Sequence, residues 1–420
     1  MLIFRHLRIS VSYRDSVNKM IETAIIGAGP YGLSLAAHLN AMGAPFRIFG
    51  SPLATWRSHM PVGMLLKSDG FASNLSSPDP GSTLKAWCAA HGKAYDDTNR
   101  PVPLAHFVDY SGWFQQKFVP MLEDNQVVSL SRGPRGGFTL WLDNGEMLQA
   151  ARVVLAVGIS WFKHMPQALA ELPSELVSHS YDHHDLSRFA GKKLLVLGAG
   201  SSAVDTAVLA QEAGADVNLL ARAPEIHYHT MPDPDAVSWL KAIAHPSSGI
   251  GPGWRSFLCA RAPRLFRRMP ERLRLRAASR HLGPAPGWFM RGKLKAKALL
   301  GHDIENVGAY QDGVLVTARG PDGTVAQILA DHVIAATGYR ADLRRLPFLE
   351  SQLRRAIAHV AHTPRLSDNF ETSVPGLYAV GPMAANAFGP LMRFMVGAEY
   401  ASPRLASHLV KAAVRRRAVA

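Results

Sequence analysis

The chain contains one short pattern twice: an apolar strand-like run, a glycine turn and the start of a helix. The first copy is AIIGAGPYGL at residues 24–33, and the second is LVLGAGSSAVD at residues 195–205. In a G-x-G-x-x-G turn the first glycine makes the tight bend, the second lets a pyrophosphate approach the backbone, and the third lets the helix pack close to the strand. Two such copies predict two dinucleotide-binding units.

Each loop also ends at a helix N-terminus, whose free N–H groups and partial positive charge suit a phosphate. In the first loop the candidate contacts are Gly27, Gly29, Pro30 and Gly32. In the second loop they are Gly198, Gly200, Ser201, Ser202 and Ala203. Ala203 stands in place of the third glycine, which is a tolerated variant of the pattern.

The strand after each loop indicates which nucleotide is bound, because an acid there holds a ribose hydroxyl whereas an arginine accommodates a 2′-phosphate. The strand VNLLAR ends at Arg222, which favours NADPH over NADH at the second loop. After the first loop the equivalent position falls near Gly50 or Ser51, so the sequence assigns no ribose contact there.

Composition and cysteine content narrow the class of protein. No apolar run approaches the roughly 20 residues of a membrane span, and charged residues interrupt the first 20 positions, so we expect a cytoplasmic protein. Met20, just before the first strand, is an alternative start. Cys88 and Cys259 form no C-x-x-C pair. Dithiol chemistry needs two neighbouring thiols, which excludes a thioredoxin-reductase activity.

The net charge of +14 is concentrated in one block. Residues 254–297 contain 13 Lys or Arg and one acid, Glu271. We expect no nucleic-acid partner, since the block has no recognition motif or regular aromatic interleaving. A solvated helical face, peripheral contact with a membrane surface, and a role around an anionic cofactor or substrate all stay open.

Three further segments match a known family. They are Thr55-Trp56-Arg57, Ala336-Thr337-Gly338-Tyr339 and Gly376-Leu377-Tyr378-Ala379-Val380-Gly381. Together with the two loops, they resemble the two-dinucleotide flavoproteins, in particular the single-component monooxygenases that include the flavin-containing, N-hydroxylating and Baeyer-Villiger enzymes. Some bacterial flavoproteins of this kind are urate hydroxylases.

The resemblance implies an α/β fold of two Rossmann-like domains with three-layer ββα architecture, the NADPH domain being inserted into the FAD domain. It implies FAD at the first loop and NADPH at the second, with further cofactor contacts at Thr55, Trp56, Thr337, Gly338, Gly381 and Gly389. The expected segments are an extension at 1–19, the FAD domain at 20–175, the NADPH domain at 176–320 with its basic insert at 254–297, and the rest of the FAD domain at 321–420. A final helix is expected at about 389–411.

The resemblance also implies an activity. NADPH reduces FAD, the flavin forms a C4a-(hydro)peroxide with molecular oxygen, and one oxygen atom passes to a small organic substrate. Four residues are candidates for the reaction or for substrate binding: Lys67, Asn74, His179 and Arg393. His179 has the place of the family's signature histidine, but Pro173, Glu175 and His183 depart from the rest of that signature, so a Baeyer-Villiger activity is not implied.

Two other functions stay open at this point. One is an NAD(P)H-dependent flavin reductase that passes electrons to a quinone or protein. The other is a non-catalytic flavin-bound protein that uses the basic block to bind a membrane surface or a partner. No metal site is expected, because the histidines and aspartates of residues 182–185 fit a turn better than a ligand set.

Overall fold

The computed structural model describes residues 20–134, 136–231 and 244–419. The extension expected at 1–19 lies outside these residues. The strands in chain order are β1 Ile21–Ile26, β2 Arg47–Phe49, β3 Val127–Arg132, β4 Phe138–Leu142, β5 Met147–Leu155, β6 Val177–His179, β7 Lys193–Leu197, β8 Asp216–Ala221, β9 Lys297–Leu300, β10 Asp303–Tyr310, β11 Gly313–Arg319, β12 Val325–Ala330, β13 His332–Ala335, β14 His359–Val360, β15 Thr363–Pro364 and β16 Leu377–Ala379.

The helices in chain order are α1 Pro30–Ala41, α2 Ala54–Ser58, α3 Leu84–Ala90, α4 Leu104–Phe118, α5 Gln167–Ala170, α6 Ser201–Glu212, α7 Trp254–Arg261, α8 Pro263–Arg268, α9 Glu271–Arg280, α10 Ser351–Ala356, α11 Ala385–Phe388 and α12 Ala398–Val419. Short 3-10 turns connect several of them, including Pro390–Arg393.

The first sheet joins strands from both ends of the chain. β1 lies between β2 and β5, parallel to both. β5 is paired differently along its length: its first half is antiparallel to β4, and its second half is parallel to β16. β3 extends the sheet beyond β4. The second half of β5 is fully buried, as expected for a parallel strand covered on both faces.

The second sheet is parallel throughout, in the order β6-β13-β7-β8-β9. The apolar run Leu194–Leu197 of β7 is buried at its centre, and α6 follows it directly. A separate antiparallel sheet, β10-β11-β12, is inserted between β9 and β13. The α/β architecture with two parallel, Rossmann-like units confirms the fold class predicted from the two glycine loops.

Two boundaries differ from those expected. β13, at His332–Ala335, pairs with β6 and β7, so the chain returns to the first unit after residue 335 rather than at 321. The final helix begins at Ala398, because Gly389 has φ +95° and the following residues form two short turns instead of a continuous helix. In the described part of the chain, no helix has the length and apolarity to cross a membrane.

Candidate active site

The first glycine loop has the geometry of a pyrophosphate site. Gly27 has φ +112°, and a Cβ there would lie 2.4 Å from the Ala156 carbonyl oxygen. At Gly32 a Cβ would lie 1.9 Å from the Gly27 carbonyl oxygen, so the close packing of α1 requires glycine. A Cβ at Gly29, the N-cap of α1, would meet nothing within 4 Å. This open space before a helix N-terminus fits a dinucleotide phosphate.

The edge of this loop contains an acid that sequence reasoning missed. Gly50 follows β2 with φ +129° and lies against the backbone of Gly27 and Ala28. This is the position at which related loops have the acid that binds a ribose hydroxyl. The next residue, Ser51, donates its hydroxyl to Asp124 Oδ1 at 2.6 Å. Asp124 comes from the segment between α4 and β3, so its place beside the loop has no signal in the local sequence.

Tyr31, inside the first loop pattern, connects the loop to the distant C-terminal segment. Its hydroxyl donates to the carbonyl oxygens of Met392 at 3.1 Å and Phe394 at 2.8 Å. Burial raises the pKa of this phenol far above its usual range, so it stays a donor. Its ring also lies 3.3 Å from where a Cβ of Gly381 would be. Tyr31 therefore fixes the residues 381–394 relative to the first loop.

The second glycine loop has the same backbone but a different neighbour. Gly198 has φ +133°, and a Cβ there would lie 2.6 Å from the Ala336 carbonyl oxygen. Gly200 is the N-cap of α6, and a Cβ there would lie 2.8 Å from Cβ of Pro284. The loop fits a dinucleotide in its glycine positions, but Pro284 occupies the approach to Gly200 that is open at Gly29.

Pro284 belongs to a segment that we call the strap, residues 281–287. The strap is held at both ends by hydrogen bonds. Arg393 donates to the carbonyl oxygens of His281 at 2.7 Å and Leu282 at 3.1 Å. The backbone N–H of His229 donates to the Pro286 carbonyl oxygen at 2.9 Å. A nucleotide that approaches Gly200 closely must therefore displace the strap.

Arg222 lies just after β8, as predicted, and its side chain is exposed. Among the described residues it forms no ion pair, so its guanidinium is available for a phosphate. His229, seven residues further along, is half-buried, and burial lowers its pKa, with Lys67 adding to that effect.

Lys67, Asp205 and Arg393 are close enough for their charges to interact, although they lie far apart in the sequence. Lys67 Nζ lies 5.8 Å from the centre of the Phe394 ring, and the Arg393 guanidinium carbon lies 5.6 Å from the same ring. Burial lowers the pKa of Lys67, the positive charge of Arg393 lowers it further, and Asp205 opposes both. We call this group of three the cleft cluster.

Asp205 is the member of the cleft cluster that the sequence did not single out. It is buried, and its carboxyl accepts from Ser201 Oγ at 3.4 Å. Burial raises its pKa to about 7, against the opposing effects of the Ser201 hydrogen bond and the Lys67 charge. An acid five residues into an otherwise apolar helix start was the available signal for this residue.

His179 and the Thr337-Gly338 segment lie where the two units connect. The Gly338 carbonyl oxygen accepts from His164 N at 2.9 Å and lies 3.1 Å from His179 Nε2. Thr337 Oγ1 donates to the His164 carbonyl oxygen. Burial lowers the pKa of His179 to about 4, so the ring is neutral at pH 7. These contacts hold together the two chain segments that connect the units, one before β6 and one after β13.

Several other predicted residues have structural partners. Asn74 donates its amide to the Phe71 carbonyl oxygen at 2.8 Å and accepts from Leu84 N at 2.8 Å. Thr55 is buried, with its hydroxyl 3.4 Å from that of Ser160. The Trp56 ring lies 5.5 Å from the ring of Phe107. These contacts shape the long loop after β2, and roles at a cofactor stay predictions.

His183, in the turn predicted at residues 182–185, is buried. Ser178 Oγ lies 2.6 Å from His183 Nε2 and 2.7 Å from His332 Nε2. Burial lowers the pKa of His183 to about 4. Within the described ranges, no three His, Cys, Asp or Glu side chains are grouped as a metal site.

Comparisons with known proteins agree with this arrangement. The family model described as pyridine nucleotide-disulphide oxidoreductase matches residues 24–247, which include both glycine loops. An FAD-dependent urate hydroxylase from Xanthomonas campestris pv. campestris is 26% identical over 362 residues, which cover 78% of this chain and 71% of that protein. A ferredoxin-NADP reductase from Gluconacetobacter diazotrophicus is 26% identical over 299 residues, covering 71% of this chain and 70% of that protein.

Among solved structures, the ornithine N-hydroxylase of Kutzneria sp. 744 superposes with a TM-score of 0.75 at 14% identity. The match covers 94% of this chain and 99% of that one. That structure contains reduced FAD, NADP+ and L-ornithine. At this identity the likeness shows the shared fold.

Proposed function

The chain belongs to the pyridine nucleotide-disulphide oxidoreductase family, whose model matches more than half of it, and from that premise we propose that it is an FAD- and NADPH-dependent monooxygenase that hydroxylates a small organic substrate. FAD belongs at the first loop and NADPH at the second. Its location in the cytoplasm stays a prediction from the sequence.

One observation carries the proposal: the cleft cluster combines charged side chains of the two units that carry the glycine loops. Lys67 and Arg393 come from the first unit, while Asp205 lies on the helix of the second loop. The charges of the three side chains therefore interact between the two units. Bound FAD supplies the redox chemistry, accepting hydride from NADPH and delivering the electrons to oxygen.

The side chains of the cleft cluster can hold charge and protons. Lys67 and Arg393 provide positive charge that favours an anionic group near the ring of a flavin. The carboxyl of Asp205, with its pKa of about 7, exists in both protonation states near neutral pH and can hold or release a proton there. Tyr31 holds the segment that contains Arg393 in place, through its hydrogen bonds to the residues on either side of Arg393.

At the first loop, we assign Gly29 to the close approach of the phosphates, on the basis of the open space beside it, and Ser51 to a ribose hydroxyl. Its partner Asp124 supplies the carboxylate that the family pattern expects at the end of β2. At the second loop, we assign Arg222, which is exposed directly after β8, to a 2′-phosphate, and this assignment supports NADPH as the donor.

The relatives also support a second candidate, a reductase that passes electrons to a protein acceptor, since a ferredoxin-NADP reductase matches 71% of the chain. The monooxygenase is favoured because the urate hydroxylase match covers more of the chain, at 78%. The absence of a C-x-x-C pair is compatible with both candidates.

The two candidates differ in where the oxygen goes. A monooxygenase converts one NADPH, one proton, one O₂ and one substrate molecule into NADP⁺, water and hydroxylated product. Flavin-loaded protein is supplied with NADPH under ¹⁸O₂ and with urate, L-ornithine or a primary amine. We expect one of these substrates to accelerate NADPH oxidation and to gain one ¹⁸O atom per NADPH.

The opposite result would be NADPH oxidation accelerated only by ferredoxin or a quinone, with no labelled product. That outcome would establish the reductase. The Lys67→Met variant, which keeps an unbranched side chain but removes its charge, should lower turnover while retaining flavin, because Lys67 belongs to neither glycine loop.

A further inference from the structure

The basic insert contains a cavity that the proposed function does not use. Helices α7, α8 and α9 line a concavity of about 680 Å³ that is open to solvent, which we call the insert cavity. This volume falls within the range of roughly 300–1,000 Å³ that is common for small-molecule sites. Its apolar lining consists of Leu258, Cys259, Ala262, Leu265, Phe266, Met269, Leu273 and Ala277.

Several of these apolar side chains are left in contact with water. Leu265 is 63% exposed, Leu273 is 52% exposed and Leu258 is 51% exposed. Proteins rarely leave a contiguous apolar surface uncovered unless something binds to it. An apolar occupant would remove these side chains from water at a gain of roughly 25 cal/mol per Å².

The remaining lining of the insert cavity is cationic. It consists of Arg255, Arg276, Arg280 and His281. Among the described residues, none of these three arginines forms an ion pair with a carboxylate. The acid of the insert, Glu271, is already engaged by Arg365 at 2.9 Å. An occupant that complements this lining has an anionic group next to an apolar chain.

We propose that the insert cavity binds an amphipathic anion, a single acyl-type chain whose carboxylate or phosphate head is held by Arg255, Arg276 and Arg280. The shape of the lining favours a single chain over a bilayer surface, because a flat bilayer meets convex apolar side chains whereas these side chains line a concavity. The proposal stands independently of the monooxygenase, since binding requires no turnover.

The cavity adjoins the cleft cluster through the strap. His281 contributes to the lining, and its carbonyl oxygen accepts from Arg393. Phe266, at the other side of the cavity, lies 3.2 Å from where a Cβ of Gly389 would be. The site is thus next to the candidate flavin end of the molecule without including its cofactor residues.

Cys259 provides a reporter inside the cavity. It is half-buried and burial raises its pKa, while Cys88 is buried in the core at 2% exposure. A thiol reagent at pH 8.5 should therefore modify Cys259 first. The flavin-loaded full-length protein is titrated with dodecanoate below its aggregation concentration, both by calorimetry and by the rate of Cys259 modification.

We expect one dodecanoate to bind per chain and to slow Cys259 modification at least tenfold. Dodecyltrimethylammonium, with the same chain and a positive head, and acetate, with the same head and no long chain, should give no protection. Arg276→Gln and Arg280→Gln should each weaken dodecanoate binding by about tenfold, as loss of one charge-assisted contact does. Arg272→Gln is the matched control, since Arg272 is exposed on α9 but does not line the cavity.

Three results would overturn the proposal. The first is no saturable binding of dodecanoate. The second is an equal effect of Arg272→Gln and Arg276→Gln, which would indicate diffuse attraction to the basic block. The third is binding only to phosphatidylglycerol vesicles and not to monomeric dodecanoate, which would make the surface a membrane contact. If the protein binds dodecanoate but shows no oxygenase activity with the substrates tested, the result counts against the proposed function alone.

Discussion

At the scale of single residues, Gly29 allows the clearest separation of binding from folding. Its φ is −83° and a Cβ would meet nothing within 4 Å, so Gly29→Ala should fold normally. Gly29→Glu should fold as well but lose FAD, because it places a carboxylate against the pyrophosphate. The ratio of flavin to protein absorbance after purification, together with circular dichroism, measures both effects.

Purified Gly29→Glu protein with the flavin content of the wild type would show that the first loop does not bind FAD. Gly27→Ala is a different case, since its Cβ would collide with the Ala156 carbonyl oxygen, and we expect that variant to be unstable.

Arg222 determines the choice between NADPH and NADH if it contacts the 2′-phosphate. We expect Arg222→Ala to lower the ratio of kcat/KM for NADPH to kcat/KM for NADH by about tenfold, the effect of losing one charge-assisted hydrogen bond. Lys192→Ala removes an exposed positive charge just before β7, at the opposite end of that strand from the loop, and should leave the ratio unchanged. A wild-type ratio in Arg222→Ala would exclude this arginine from the NADPH site.

Asp205 predicts a pH-dependent stability. Its pKa is raised from 3.8 to about 7, so the folded state favours the protonated acid. Below pH 4 the acid is protonated in the folded and the unfolded state, and burial of the carboxyl then costs no stability by ionisation. As the pH rises from 4 through 7, the unfolded state releases its proton first, and the stability of the folded state falls. The free energy of unfolding of Asp205→Asn, relative to that of the wild type, should therefore increase by on the order of 2 kcal/mol from pH 5 to pH 8.

Urea unfolding midpoints at the two pH values measure this gain. Asp216→Asn, at an exposed position in β8, the strand that follows α6, should shift the midpoints equally at both values. If Asp205→Asn also does so, the buried carboxyl does not titrate in this range.

The residues that could be predicted from the sequence are those whose role is local. Gly27 and Gly198 adopt a left-handed φ, and Gly32 leaves no room for a Cβ beside the Gly27 carbonyl oxygen, so glycine is required at these three positions by the turn itself. Other residues contact partners far away in the sequence. Asp124 accepts a hydrogen bond from Ser51, and Tyr31 donates one to Met392. Asp205 interacts with the charge of Lys67. Only the completed fold brings such pairs together.

At the scale of elements, the strap is the segment that most affects access to the second loop. Pro284→Gly removes the side chain that faces Gly200, and we expect it to lower the KM for NADPH several-fold with little change in kcat. Pro252→Gly, at an exposed position in the turn before α7, is the control. An unchanged or higher KM in Pro284→Gly would mean that the strap does not compete with NADPH.

The elements were predicted best where apolar runs end in glycine. Both strand-turn-helix units and β8 were anticipated, because buried parallel strands read as continuous apolar segments. The start of α12 was misplaced, since Gly389-Pro390 resembles a helix start but the left-handed φ of Gly389 leads into separate short turns. The path of the strap over Gly200 depends on contacts with Arg393 and His229 that no local pattern records.

At the scale of the whole molecule, the two units are connected by two chain segments that meet at Gly338. The Gly338 carbonyl oxygen contacts both His164 and His179, so the segment that enters the second unit and the segment that leaves it are in direct contact. The insertion of one unit into the other was predicted by resemblance to the family, whereas its far boundary was set by β13 pairing with β6 and β7.

The split pairing of β5 has a consequence for the order in which the chain can fold on the ribosome. β16, which completes the sheet beside the second half of β5, and α12, which packs on α1, leave the ribosome only after the entire second unit. The second unit is continuous from β6 to β13 and can fold while the first is still incomplete. A nascent chain that has emerged from the ribosome as far as residue 336 should thus protect β7 and β8 from proteolysis while the sites in α1 stay open to cleavage.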